Sequence, residues 1–291
     1  MDEWGVLGVP IYTLAKYRGM GDAPAVLRRA GVSRVVGPTS DLGDVGLTQL
    51  KRDTTEGKVK NLARFRADNS AVFKAVRSVK TERVLVVGGE CSETVGAMGG
   101  LSEVFEGRAG MLWLDAHGDF NTPETSPSGY IGGMCLAMAC GRTPNLGLEL
   151  GLGGPPLADV RLVHVGSRAL DPPEVAAFNS SPAKLYTAQQ VKKSGATYVA
   201  EEAARHLDNS SDWIACHLDV DVVDPEFIPA VNYPTPGGLA PDEAARVVRE
   251  LLGTGKLRAL EVAAYNPSID RNGASAAQIV TLLKKVFSPG S

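Results

Sequence analysis

Residues 113–121, WLDAHGDFN, carry an apolar run (110–114) into three groups able to hold a metal: Asp115, His117 and Asp119. In extended backbone alternate side chains share a face, so the i, i+2, i+4 spacing aims all three one way as the strand runs out. Two carboxylates and an imidazole suit Mn, Fe or Zn better than Ca or Mg. Taken alone, the stretch also reads as a strand end capped by solvated acids. A second stretch, HLDVDVVDP at 217–225, weighs against that. There another apolar run, 213–216, leads into Asp219 and Asp221 at i, i+2.

Such side chains must be brought together by a scaffold that collects several strand ends. Compact apolar runs predict strands at 5–9, 32–36, 83–87, 110–114, 161–165, 184–187, 213–218 and 257–262. Helices are expected at 23–30, 92–101, 133–140, 198–207 and 274–287, and in a short piece opened by Asp171-Pro172-Pro173-Glu174. Another covers 62–79, where Leu62, Phe65, Val72, Phe73, Val76 and Val79 share a face that Asn69 interrupts. A further helix starts at Pro241, with Ala244, Val247, Val248 and Leu251 inward. Gly88 and Gly89 permit a sharp turn from strand to helix. Segments 41–55 and 142–156 read as surface excursions, 120–133 as a loop and 229–238 as irregular. The alternation implies βαβ units, a mainly parallel sheet and helices on both faces. In such sheets ligands bind at the carboxyl ends of the strands. Cys91, the 115–119 cluster, Asp171, Asp219 and Asp221 all follow strands.

With 291 residues and no linker-like block, one domain spanning 1–291 is expected. A net charge of −3 with no basic run argues against a nucleic-acid or anionic-membrane surface. The acidic start and the lack of a bilayer-length apolar run predict neither a signal peptide nor a membrane span. Four cysteines without disulfide-framework spacing fit a reducing cytoplasm. Cys135, Cys140 and Cys216 read as buried small hydrophobes. His164 and His217, inside strands, read as satisfied core groups or as groups behind the ligands, and His206 lies near a helix end. No Ser-His-Asp spacing, Walker loop or dinucleotide glycine pattern is present.

GGECS (88–92), DAHGDFN (115–121) and HLDVDVVDP (217–225), in this order and at these separations, resemble the three metal signatures of the ureohydrolases, the arginase–agmatinase–formimidoylglutamase family. The likeness runs from about residue 85 to residue 267. It implies a three-layer α/β/α architecture with an eight-stranded, mainly parallel sheet, an oligomer (trimer or hexamer), a small-molecule amino-acid substrate and two Mn(II) ions. Carried over residue by residue, Cys91, Asp115, Asp119 and Asp219 hold one ion, and His117, Asp115, Asp219 and Asp221 the other. Asp119 would also take a proton and pass it to the leaving nitrogen. Asn121 and Ser128 match the residues that receive a substrate α-carboxylate. Asp171 matches the residue for the α-amino group, with Glu174 one turn on. Each of these is also a common turn or cap residue.

Four positions depart from the family pattern. Cys91 replaces a histidine ligand. A thiolate favours zinc or iron more than imidazole does, so this site is open to another divalent metal, and a buried spectator thiol is the alternative. Gly132 stands for a histidine, Tyr233 for a threonine, and Ala264 for the glutamate that pairs with the guanidinium. A guanidinium without that carboxylate loses a charge-assisted contact worth on the order of 1.5–3 kcal/mol. The pattern most resembles the branch that hydrolyses Nω-hydroxy-L-arginine. The expected activity is therefore cleavage of a C–N bond in a guanidino or hydroxyguanidino amino acid, giving a urea-type product and an amine. Ordinary arginase or agmatinase activity, or a metal-poor relative serving as a binding subunit, are the alternatives.

Overall fold

The computed structural model describes residues 3–37, 39–47, 51–143, 146 and 157–288. The strands are β1 (Trp4–Val9), β2 (Thr39–Asp44), β3 (Thr55–Glu56), β4 (Val59–Lys60), β5 (Arg83–Gly88), β6 (Ala109–Leu114), β7 (Leu162–Val165), β8 (Lys184–Tyr186), β9 (Trp213–Asp219) and β10 (Leu257–Ala263). β3 and β4 form a small antiparallel pair, and the other eight form one sheet in the order β2-β1-β5-β10-β9-β6-β7-β8. Every neighbouring pair in that sheet is parallel.

Nine helices occupy the described chain: α1 (Ala23–Ala30), α2 (Leu62–Arg77), α3 (Thr94–Val104), α4 (Cys135–Ala139), α5 (Pro172–Asn179), α6 (Ala188–Ser194), α7 (Ala196–Ser210), α8 (Pro241–Gly253) and α9 (Ala274–Phe287). α1, α7, α8 and α9 pack on one face of the sheet, α2, α3 and α4 on the other. A central strand covered twice must be apolar throughout, and all seven residues of β9 are buried. Asn69, the polar break in the face of α2, is buried and accepts the Gly96 N–H at 2.7 Å. It thereby ties α2 to α3, where a Cβ on Gly96 would lie 2.5 Å from the Asn69 carbonyl oxygen.

Two sequence expectations are corrected. The run 32–36 is not a strand: Val32–Arg34 is a turn of 3₁₀ helix, entered through Gly31 at φ +103°. Its valines face the core from a turn, and the edge of the sheet is taken instead by β2, which starts at Thr39 and runs into the segment read as a loop from residue 41. Four of the six β2 residues are exposed, so an edge strand leaves no apolar alternation to read. α6 was also absent from the periodicity, because only Ala188 and Val191 of its seven residues turn inward. It starts on a capping box: Gln190 N–H donates to Thr187 Oγ1 at 3.2 Å, and Thr187 N–H to Gln190 Oε1 at 2.7 Å. Most of the predicted excursion at 142–156 falls outside the described residues. Among those described, no helix is long and apolar enough to cross a membrane.

Burial in β7 lowers the His164 pKa to about 3. Below pH 6.5 the unfolded chain therefore binds a proton that the folded chain refuses, and stability falls with pH down to about 3. The slope from this residue is at most about 1.4 kcal/mol per pH unit. Urea melts at pH 7 and pH 5 should show a smaller loss for His164→Leu than for the wild-type chain. Equal losses would mean that His164 is not the group taking up the proton.

Candidate metal centre

The chain leaves β5 and enters β6 three positions along the sheet, with β10 and β9 between them. That jump opens a crevice at the carboxyl ends of the central strands, and the acids lie there. Asp115 follows β6 directly, its N–H donating to the Val165 carbonyl at 3.1 Å. Its Oδ2 accepts from Trp113 Nε1 at 3.1 Å and its Oδ1 from the His117 N–H at 2.7 Å. His117 Nδ1 lies 3.1 Å from Asp221 Oδ2 and 3.3 Å from Asp115 Oδ1. Asp219 closes β9, accepting the Asp221 N–H on Oδ1 at 2.7 Å and facing the Cys91 thiol with Oδ2 at 3.0 Å.

Cys91 opens a 3₁₀ turn, Cys91–Glu93, after β5. The glycines before it serve close approach rather than positive φ. A Cβ on Gly88 would sit 1.5 Å from Glu93 Oε1, and one on Gly89 1.9 Å from the Ile11 carbonyl oxygen.

Two donor sets result, each with its ligand atoms within 4.8 Å of one another: Cys91, Asp115, His217 and Asp219 in one, Asp115, His117 and Asp221 in the other. Asp115 belongs to both. Asp119 lies outside these two sets. It sits at φ +49°, buried, with its Oδ2 3.3 Å from Cys135 Sγ. Cys135 thus faces the cluster, although apolar neighbours had suggested a passive hydrophobe. His217 is also more than a satisfied core group: its Nε2 is buried with no hydrogen-bond partner among the described residues.

The electrostatics of the cluster favour a bound cation, although Asp221, for all its burial, is lowered by the hydrogen bond from His117. Burial, with Asp221 and Asp115 close by, pushes the Asp219 carboxyl well up. Burial and the Asp115 charge do the same to Asp119, and burial with Asp219 beside it raises the Cys91 thiol. Burial alone would lower His117, yet its hydrogen bonds to Asp115 and Asp221 push it up to about 12. Acids packed this closely in low dielectric keep their protons unless cations replace them. The mixed sulfur, nitrogen and oxygen donors fit divalent transition metals.

Above the acids lies a cleft of ≈ 470 Å³ lined by, among others, Glu90, Cys91, Asp119, Tyr130, Tyr233 and Ala264. Asn121, Ser128 and Asp171 line it too. Asn121 Nδ2 donates to Asp171 Oδ2 at 2.9 Å. Glu174 is occupied structurally, accepting the N–H groups of Phe120 and Asp171, each at 2.9 Å. Ser128 Oγ accepts the Tyr130 N–H at 3.1 Å, a local turn contact. At Gly132 a Cβ would lie 2.6 Å from the ring of Tyr130. Tyr130 and Tyr233 line the cleft, and Tyr17 packs edge-on against both. Glu90 and Tyr130 were not singled out from the sequence, and Cys135 and His217 were read as core groups or, for His217, as a group behind the ligands. The signals available were for Glu90, which adjoins Cys91 in the first motif, and for His217, which opens the third at i, i+2 with Asp219.

The family model described as "Arginase family" matches residues 2–288. The chain is similar to arginase of Bacillus caldovelox, 32% identical over 295 residues, covering 99% of this chain and 98% of that protein. It is similar to arginase of Bacillus subtilis strain 168, 31% identical over 288 residues, with 97% and 96% covered. In three dimensions the native B. caldovelox arginase superposes with a TM-score of 0.92 at 31% identity, covering 100% of this chain and 99% of the other.

Proposed function

The chain belongs to the arginase family, and from that premise we propose a dinuclear, manganese-dependent amidinohydrolase, built as one domain, that acts on a hydroxyguanidino or guanidino α-amino acid. The observation that carries this reading is the convergence of two donor sets sharing Asp115 on the floor of the cleft. Asp115, His117, Asp219, Asp221 and Cys91 would hold the ions. When bound, divalent ions lower the pKa of water and polarise the substrate as Lewis acids.

The chain's own groups do the rest. Asp119, buried at the cleft wall, receives the proton of the attacking water and delivers it to the departing nitrogen. Asn121 and Asp171, joined at the rim, meet the charged α-carbon end of the substrate, with Ser128 beside them. Tyr130 and Tyr233, packed together on the cleft wall, narrow the space open to water.

Ala264 provides no acid for the guanidinium, but its N–H donates to the Gly89 carbonyl at 2.9 Å, and the next residue along the chain is Glu90. Glu90 lines the cleft and accepts from Thr13 N–H at 2.9 Å and Ser92 Oγ at 3.1 Å. Burial raises its pKa, and a cationic partner would favour its charged form. A hydroxyguanidine is less basic than a guanidine and depends less on such a partner. Glu90→Gln is expected to lower kcat/KM for arginine by about 10- to 150-fold, and for Nω-hydroxyarginine by less, with an unchanged thermal midpoint. Equal losses for both substrates would remove Glu90 from this role.

The test of the whole reading is turnover of arginine, Nω-hydroxyarginine and agmatine by manganese-loaded protein, with urea and hydroxyurea quantified. Hydroxyarginine should be preferred and agmatine rejected. Turnover of none of them would overturn the proposal. Preference for arginine would favour ordinary arginase activity, a reading supported by the names of the relatives.

A further inference from the structure

We propose that His217 is itself a ligand, binding through Nε2 the ion held at Cys91, so that the nitrogen donor absent from position 91 is supplied from β9 instead. This rests on the metal-centre reading above and adds a ligand that the family resemblance does not assign.

The placement follows from strand geometry. His217 and Asp219 stand at i, i+2 on β9 and project to the same side. Across the sheet His217 is in register with Trp113 of β6 and Glu261 of β10. The Trp113 ring stacks on the imidazole at 3.8 Å and 14°, fixing its plane. Nδ1 lies 2.9 Å from Glu261 Oε2 and 3.0 Å from Thr94 Oγ1. Thr94 donates its own hydroxyl proton to the same Glu261 oxygen at 2.6 Å. Nδ1 is therefore the protonated nitrogen, donating to Glu261, and the Nε2 lone pair is free.

That lone pair has nowhere else to go. His217 is fully buried, and Nε2 has no partner among the described residues. A buried polar atom left unpaired is costly and rare. Yet a ring nitrogen of His217 lies within 4.8 Å of Cys91, Asp115 and Asp219 ligand atoms. Nδ1 is already engaged, so Nε2 is the atom free to coordinate. An imidazole whose second nitrogen donates to a carboxylate is the arrangement that orients metal-bound histidines and raises their basicity. The resulting set of one sulfur, one nitrogen and two carboxylates is softer than an all-oxygen site and suits zinc, iron or cadmium.

The test uses full-length protein loaded with cadmium, with the histidine ring nitrogens isotopically labelled for NMR. Two of the four histidines, His117 and His217, should show metal-shifted nitrogens, that of His217 being Nε2. His217→Asn should lose one of the two while keeping the His117 signal, and weaken cadmium binding at the Cys91 site by about a hundredfold. Cys91→Ser should abolish the thiolate-to-cadmium absorption band and leave the His117 signal intact. Cadmium binding with only His117 shifted in wild-type protein overturns the inference and leaves the proposed function standing. No cadmium binding at all overturns both. The wild-type spectrum decides the matter even if the His217 variant fails to fold.

Discussion

Asp115→Asn is expected to reduce the metal content below two ions per chain and to lower turnover by at least about a thousandfold, a loss of several kcal/mol of transition-state stabilisation. The size follows from position. Asp115 is the one residue common to both donor sets, so its loss weakens two sites at once. Asparagine keeps the shape of the side chain but only one acceptor, so either the Trp113 or the His117 N–H loses its partner, and the thermal midpoint is to be measured beside the metal content. What disappears is the anion. Metal analysis paired with hydroxyguanidine turnover checks it, and a variant that retains both ions and activity within tenfold would remove Asp115 from the centre of the argument.

The second large effect is expected at Asp119, and its signature differs. Asp119→Asn should lower kcat by about 10²- to 10⁴-fold, the usual range for a positioned acid–base group, while metal content stays unchanged. Sequence resemblance makes Asp119 a ligand, but its carboxylate lies outside both close-packed donor sets and faces Cys135 instead. Loss of an ion in this variant would establish the ligand role that the resemblance implies, whereas loss of turnover with full metal occupancy identifies a proton carrier.

The parts of the fold that could be read from the sequence are those where burial writes a period into it. β6 and β9 are covered on both faces, so their apolar runs stand out, and the acids at i, i+2 after each run point one way by strand geometry alone. α9 matches its expected bounds of 274–287 because Ile279, Leu282, Leu283 and Val286 form a clear inward face. β2 and α6 could not be read in this way, since one is an exposed polar edge and the other buries two residues. The site divides similarly. Residues within one motif were visible together, but His217 could be separated from an ordinary core histidine only by cross-strand register, which places Trp113 and Glu261 on either side of it. Glu90 and Tyr130 needed the three-dimensional cleft, because neither has a spacing that marks it as a wall residue.

The ring of Tyr130 occupies the space that any side chain at position 132 would need, and Tyr17 and Tyr233 hem it in. A side chain introduced at 132 would meet the hydroxyl end of that ring at its first carbon beyond the backbone. The ring would then have to swing aside, so it is the bare glycine that lets Tyr130 keep its seat beside Tyr17 and Tyr233.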